Sequence, residues 1–164
     1  MNIEVVRKFL ALPTDKQLWG KEGWRLLRDR SAFLSINWGE ETEEIVSCWN
    51  RIFPGVLEVT CTAVDATNPA GFTHKFSCKG RTSEAPYTGT RNDCFIALLA
   101  LNQVVKHDVD MRFCKDSVGN SDLCFLPLPP ADWMRLESEF GAETLAGRFL
   151  SLPATFEDFE KYLG

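Results

Sequence analysis

The stretch Asp93-Cys94-Phe95-Ile96-Ala97-Leu98-Leu99-Ala100-Leu101-Asn102-Gln103-Val104-Val105 decides the fold of this 164-residue chain. From Cys94 to Val105 nearly every residue is apolar, and Thr90, followed three residues later by Asp93, approximates a capping box. The stretch predicts a helix that is buried on most sides, because a helix with one exposed face carries polar residues there. We expect this helix to lie across a sheet, with other elements covering it.

Segments of alternating apolar and polar residues lie on both sides of the central helix. Before it, residues 57–63 and 72–78 alternate and are separated by turn formers, which predicts two antiparallel strands. After it, residues 109–113 and 123–128 predict a second hairpin. Residues 79–90 have no periodicity and contain many turn formers, so we expect a long surface loop there.

Further helices are predicted from apolar residues at helical spacing and from residues typical of helix ends. They lie in residues 2–12, in a broken form in residues 15–30, after the acidic run 40–44, from a cap at Asp132 to Gly141, and after a cap at Thr155. This alternation indicates a single α+β domain over residues 1–164. We expect an antiparallel sheet of about four to five strands with helices packed mainly on one face.

Composition and charge exclude several classes of partner. The formal net charge is −5 and the pI is near 5.1, opposite to the basic character of proteins that bind nucleic acid. No apolar run reaches the roughly 18 residues of a membrane span, and residues 1–8 carry charges where a secretion signal needs apolar residues. We therefore expect a cytoplasmic protein, monomeric or homodimeric, that binds neither nucleic acid nor membrane.

The sequence contains no motif for catalysis, for a cofactor or for a metal. The two histidines, His74 and His107, lack the neighbours of a nucleophilic site, and His74 lies on the apolar face of its strand, which favours a core or interface role. The cysteines offer no Cys-x-x-Cys pair and are expected to be free thiols. They are Cys48, Cys61, Cys78, Cys94, Cys114 and Cys124. We expect no catalytic residue, no cofactor and no metal ligand.

Acidic residues cluster in two places along the chain, and these clusters are the remaining indication of function. Acidic patches on a small domain can steer a basic protein to its docking site. Tight binding also needs an anchor, and Tyr87, in the predicted loop, is a better candidate than Trp19, Trp24 or Trp38, whose expected role is core packing. The predicted partner-binding residues are Glu40, Glu41, Glu43, Glu44, Tyr87, Asp110, Asp116 and Asp122.

A pattern over about residues 87–141 is carried by residues 108–122, 123–128 and 132–137, with the helical segment 98–102 just before them. This pattern resembles small bacterial immunity proteins that are encoded beside secreted antibacterial toxins, including effectors of type VI secretion. The resemblance implies a non-enzymatic protein that binds a cognate toxin and blocks its active site or its access to substrate. It assigns no binding residue, so the acidic residues and Tyr87 rest on the charge argument alone.

Two other functions stay open from the sequence. A small enzyme could assemble its site from distant residues, for example His74, Asp110 and Arg112 converging in a cleft. A module for a small molecule or a peptide could use a cleft between sheet and helices. A concave pocket with converging polar groups would favour either alternative, whereas a broad acidic face with an exposed aromatic ring would favour an inhibitor.

Overall fold

Most helices and strands form where the apolar patterns predict them in the computed structural model, which describes residues 1–163. The helices are α1 (Ile3–Leu10), α2 (Gly20–Leu27), α3 (Thr42–Ile52), α4 (Asp93–Val105), α5 (Pro130–Phe140), α6 (Ala142–Arg148) and α7 (Phe156–Glu160). The strands are β1 (Leu34–Asn37), β2 (Thr60–Asp65), β3 (Phe72–Cys78), β4 (Arg81–Pro86), β5 (Asp110–Cys114), β6 (Asp122–Leu128) and β7 (Phe149–Ser151).

The strands form two antiparallel sheets. One has four strands in the order β1-β6-β5-β7, and the other has three in the order β2-β3-β4. Both predicted hairpins are present, because β2 pairs with β3 and β5 pairs with β6. The α+β class is confirmed, and the sheets together contain more strands than the single sheet predicted from the sequence.

Both faces of the four-stranded sheet are buried. In β6, Leu123 and Phe125 pack in a core with α3 and α4, whereas Cys124 and Leu126 pack in a second core with α1, α2 and α5. Successive side chains of a strand point to opposite faces, so this nearly continuous apolar strand needs cover on both sides. Helices therefore lie on both faces of this sheet, and α3 and α4 separate it from the three-stranded sheet.

The central helix α4 is buried on most sides, as its sequence predicts. Phe95, Leu98 and Leu101 on this helix are at most 1% exposed. Its C-terminal end is fixed by Arg81, whose Nε donates to the carbonyl of Val104 at 2.7 Å. Arg81 also pairs with Asp108, and these contacts tie the turn between β3 and β4 to the end of α4. A cation there complements the carboxyl end of the helix.

The prediction of a long loop over residues 79–90 is wrong, because half of this segment is strand β4. A tight turn reverses the chain at Lys79 and Gly80, whose φ angles of 50° and 76° suit a two-residue hairpin. The less exposed positions of β4 are Arg81, Ser83 and Ala85, so burial alternates along the strand although apolar character does not. A hydrophobic pattern therefore gives no sign of this strand.

The ends of the later helices follow sequence signals in part. Gly141 ends α5 with a φ of 86°, and the Thr155 hydroxyl at the start of α7 accepts from the Asp158 N–H, as predicted. The prediction of a cap at Asp132 is wrong, because α5 already begins at Pro130. Proline is favoured at this first position since its missing N–H would have no partner within the helix.

A buried arginine joins the last turn of α6 to the end of α1. Arg148 is 2% exposed, and its Nη atoms donate to the backbone carbonyls of Phe9 at 3.3 Å, of Pro13 at 2.8 Å and of Leu12. Its Nη1 also lies 3.3 Å from a carboxylate oxygen of Asp116. The guanidinium thus adds donors at the C-terminal end of α1, where the Phe9 carbonyl also accepts from the Leu12 N–H and the Pro13 carbonyl also accepts from the Trp19 indole N–H.

All six cysteines are free thiols, as predicted. Five of them are buried and Cys61 is half-buried, so they pack as small apolar side chains. Within residues 1–163, every helix is either too short or too polar to reach across a lipid bilayer.

Candidate functional site

A cleft of about 350 Å³ opens between the start of α3, the β3 and β4 strands, and the segment that leads into α4. Its walls include the side chains of Glu40, Glu41, Glu43 and Tyr87. The fold thus brings together four of the predicted partner-binding residues, although more than forty residues separate Tyr87 from the glutamates in the sequence. We call this site the acidic cleft.

The aromatic wall of the acidic cleft follows from strand register. Thr73 of β3 pairs with Pro86 of β4, so Phe72 and Tyr87 come side by side where the strands end. Their rings stack with centroids 4.8 Å apart and planes 19° from parallel. The ring of His74, two residues along β3 and on the same face, meets Phe72 edge-on at 5.4 Å. Stacking holds the Tyr87 ring in one orientation.

His74 lies at the wall of the cleft and is 8% exposed. Its Nδ1 is 3.1 Å from the hydroxyl of Thr42, the first residue of α3, and this contact joins the helix to the three-stranded sheet. Its Nε2 has no hydrogen-bond partner within residues 1–163 and is not sealed from solvent. His74 therefore offers one ring nitrogen to whatever enters the cleft.

The segment after Tyr87 is held by the carboxylate of Asp93. Its oxygens accept from the backbone N–H groups of Thr88 at 3.0 Å, Gly89 at 2.8 Å and Thr90 at 3.1 Å. The predicted capping box is therefore half formed: Asp93 reaches back to the Thr90 N–H, but the Asp93 N–H bonds to the Thr90 carbonyl instead of its hydroxyl. These bonds make a defined loop beside the cleft.

The glutamates at the mouth of the cleft differ in what they contact. Glu41 and Glu43 are exposed and have no ion-pair partner among residues 1–163. Glu40 accepts a hydrogen bond from the Asn37 N–H at 2.9 Å. Glu44 does not line the cleft itself; it borders an adjoining depression with the other three glutamates and pairs with Arg30 at 3.5 Å. The negative charges of Glu41 and Glu43 are thus available to a partner.

Three ligand atoms of Glu40, Glu44 and Cys48 lie within 4.8 Å of one another beside the cleft. Arg30 occupies this place, since its Nη1 is 3.5 Å from Glu44 and 3.7 Å from the Cys48 sulfur. Burial raises the pKa of the Cys48 thiol, and it raises the pKa of Cys94, which lines the cleft, to about 11. Both thiols are therefore poor nucleophiles near neutral pH.

The three aspartates of the second hairpin do not form one patch. Asp110 and Asp122 begin the antiparallel strands β5 and β6, so they lie at opposite ends of the hairpin. Asp122 accepts from the Asn37 amide at 3.0 Å and thus lies near Glu40, on the side of the acidic cleft. Asp110 pairs with Arg112 at 2.8 Å.

Asp116 is largely enclosed and serves the fold, because its carboxylate faces the buried Arg148. Burial raises the pKa of Asp116, and the nearby Arg148 opposes that rise without cancelling it. Its partner is 32 residues away in the sequence, so no local pattern predicts the pair.

The residues of the alternative catalytic assembly are not collected in one cavity. His74 lines the acidic cleft, whereas Asp110 lines a different depression, of about 250 Å³, with Asn102 and Ser151. Arg112 lies with its guanidinium 4.1 Å from the Trp133 ring centroid. The sequence did not predict the contact between Thr42 and His74. This contact forms only because α3 packs against β3, and no spacing in the sequence indicates that packing.

No protein-family model, curated protein or solved structure matches this chain.

Proposed function

We propose that this chain is a binding protein that holds a basic protein partner on its acidic cleft. The observation that carries the proposal is the meeting of the unpaired Glu41 and Glu43 with the fixed ring of Tyr87 around one opening. Exposed carboxylates raise the rate at which a basic partner arrives, and an ordered aromatic side chain supplies an anchor. Such a face needs little ordering when the partner binds.

The partner in this proposal is a cognate antibacterial toxin, and binding blocks its active site or its access to substrate. The resemblance of residues 87–141 to immunity proteins of the type VI secretion kind supplies this class of partner. The chain then acts in the cytoplasm of the cell that makes the toxin, without catalysis of its own. The cleft adds a location for the contact, which the resemblance does not give.

The second candidate is a module for a small ligand, and the open Nε2 of His74 is the observation that favours it. A cleft of about 350 Å³ is within the size range of sites for small molecules. In that case a ligand would fill the cleft and reach His74, and no protein partner would be required.

The test begins with the tagged chain, purified from its own source and washed at high salt, followed by mass spectrometry of what stays bound. We expect one protein in stoichiometric amount that is toxic when expressed alone. A retained small molecule without a protein would contradict the proposal and favour the second candidate.

Charge reversal then locates the interface. The double variant Glu41→Lys and Glu43→Lys should slow association at low salt, and the slowing should shrink as salt screens the charges. The matched control reverses two exposed acids on α5 and α6, Glu137→Lys and Glu143→Lys, with the same change in net charge. Equal slowing in both double variants would refute the cleft as the docking site. Asp116 is unsuitable for reversal because of its contact with Arg148.

A further inference from the structure

We infer that the acidic cleft is a guanidinium site that accepts one arginine side chain of the partner. The identity of that arginine as part of a protein rests on the proposed function, but the site itself can be tested with a free guanidinium compound. In this arrangement the guanidinium plane lies against the Tyr87 ring and its N–H groups donate to acceptors around the opening. Those acceptors are the carboxylates of Glu41 and Glu43 and the Nε2 of His74.

The argument starts from His74, a side chain more than nine-tenths buried with one nitrogen left for a ligand. The contact between His74 and Thr42 fits either tautomer, and guanidinium binding requires the one in which Nδ1–H donates to the Thr42 hydroxyl and Nε2 carries a lone pair. A lone pair at the wall of a cleft needs an N–H or O–H donor. Nothing within residues 1–163 supplies that donor to Nε2.

The sign of the charge on the ligand follows from the other groups that line the cleft. The residues that line the cleft carry four carboxylates and one guanidinium. The carboxylates belong to Glu40, Glu41, Glu43 and Asp93, and the guanidinium belongs to Arg91. The Asp93 carboxylate already accepts backbone N–H groups, whereas Glu41 and Glu43 have no ion-pair partner in the described part of the chain. An anionic ligand would be repelled there, and a cationic donor would be attracted.

The choice between an ammonium and a guanidinium follows from geometry. One face of the Tyr87 ring is stacked on Phe72, so the best ligand is a flat cation that stacks on the other face and donates in its own plane to the acceptors around the same opening. A guanidinium does both, whereas an ammonium is a strongly hydrated point charge that cannot stack. The chain's own Arg91 makes a cation–π contact nearby, with its guanidinium carbon 5.4 Å from the Trp38 ring centroid.

The experiment titrates the full chain with three blocked amino acids: N-acetyl-arginine methylamide, its lysine counterpart and its citrulline counterpart. Citrulline keeps the planar shape of arginine and lacks the charge. Backbone amide shifts of residues 74 and 87–90 in nuclear magnetic resonance spectra report binding at the cleft. We expect the arginine compound to bind about tenfold more tightly than citrulline and several-fold more tightly than lysine.

Two variants test the named contacts. His74→Phe keeps a ring in the core and removes the acceptor, and Tyr87→Leu removes the stacking face; each should weaken arginine binding about fivefold. The control double variant Glu137→Gln and Glu143→Gln should leave it unchanged. Melting curves establish that each variant is folded, and if His74→Phe does not fold, Tyr87→Leu carries the test.

The outcomes separate this inference from the proposed function. Equal binding of arginine and citrulline, or of arginine and lysine, overturns the guanidinium site. If a basic protein is captured through Glu41 and Glu43 but the arginine compound leaves the cleft shifts unchanged, the proposed function stands and the guanidinium site fails. If arginine binds as expected and no protein is captured, the guanidinium site stands and the proposed function fails.

Discussion

Replacement of Arg148 by methionine should strongly destabilise the fold, because it removes the cation that joins α6 to the end of α1. Methionine keeps much of the apolar stem but removes the donor to the Leu12 carbonyl and to the Asp116 carboxylate. The carbonyls of Phe9 and Pro13 keep the Leu12 N–H and the Trp19 indole N–H as donors. Breaking a buried pair by removing one partner costs about 3–5 kcal/mol. The free energy of unfolding should fall by that amount, since the largely enclosed Asp116 carboxylate would lose the cation that it faces.

Urea denaturation followed by tryptophan fluorescence measures this loss, and calorimetry supplies the melting temperature. For a chain of this size a loss of about 3–5 kcal/mol lowers the melting temperature by roughly 6–20 °C. The matched control is Arg135→Met on α5, where an exposed arginine pairs only with Asp132 at 3.1 Å. This control should change stability by less than about 1 kcal/mol. A loss below about 1 kcal/mol in Arg148→Met, with an unchanged urea slope, would refute the assigned role.

Further predictions concern pH and packing. The neighbouring cations Lys79 and Arg81 hold the pKa of Asp108 below its usual range. The stability that Asp108 contributes is therefore present above its unfolded pKa and is lost as the pH falls through its folded pKa. Asp108→Asn should flatten the acid side of a stability profile measured from urea midpoints. Burial raises the pKa of Asp116, so its contribution is present at low pH and is lost as pH rises through the folded pKa. In the same assay Asp116→Asn should cost less at neutral pH than Arg148→Met, because Arg148 keeps its three backbone carbonyls. Gly23→Ala should destabilise α2, because the added Cβ would lie 2.4 Å from the Trp19 Cβ. In Gly147→Ala the added Cβ meets no atom within 4 Å, so this variant should raise stability by about 0.4–1 kcal/mol; thermal melts measure both changes.

Much of the fold is predictable from the sequence because burial and apolar character coincide along most elements. The central helix follows from its nearly continuous apolar run, and both hairpins follow from alternating apolar residues, whose burial alternates most clearly in β3 and β5. Burial and apolar character do not coincide in β4, where the polar residues Arg81 and Ser83 occupy less exposed positions. Prediction also fails for the three-residue β7, which is too short to show a period.

The candidate site is predictable only in its charges. The acidic run 40–44 is contiguous, and Tyr87 stands out in a polar segment, so composition alone identifies both. Their meeting depends on the packing of α3 against the β3 and β4 strands, which no spacing in the sequence encodes. From the sequence, Asp116 is as good a candidate for binding a partner as the glutamates, but in the fold its carboxylate pairs with the buried Arg148.

The strand order of the four-stranded sheet has a consequence for synthesis on the ribosome. Strand β1 pairs with β6, and the paired residues Asn37 and Asp122 are 85 positions apart. The three-stranded sheet comes from one continuous stretch of chain and can form as it emerges, whereas β1 must wait until β6 has been made. Until then the nascent chain exposes the apolar side chains of Leu34 and Ile36, so chaperone demand should peak before residue 128 leaves the exit tunnel.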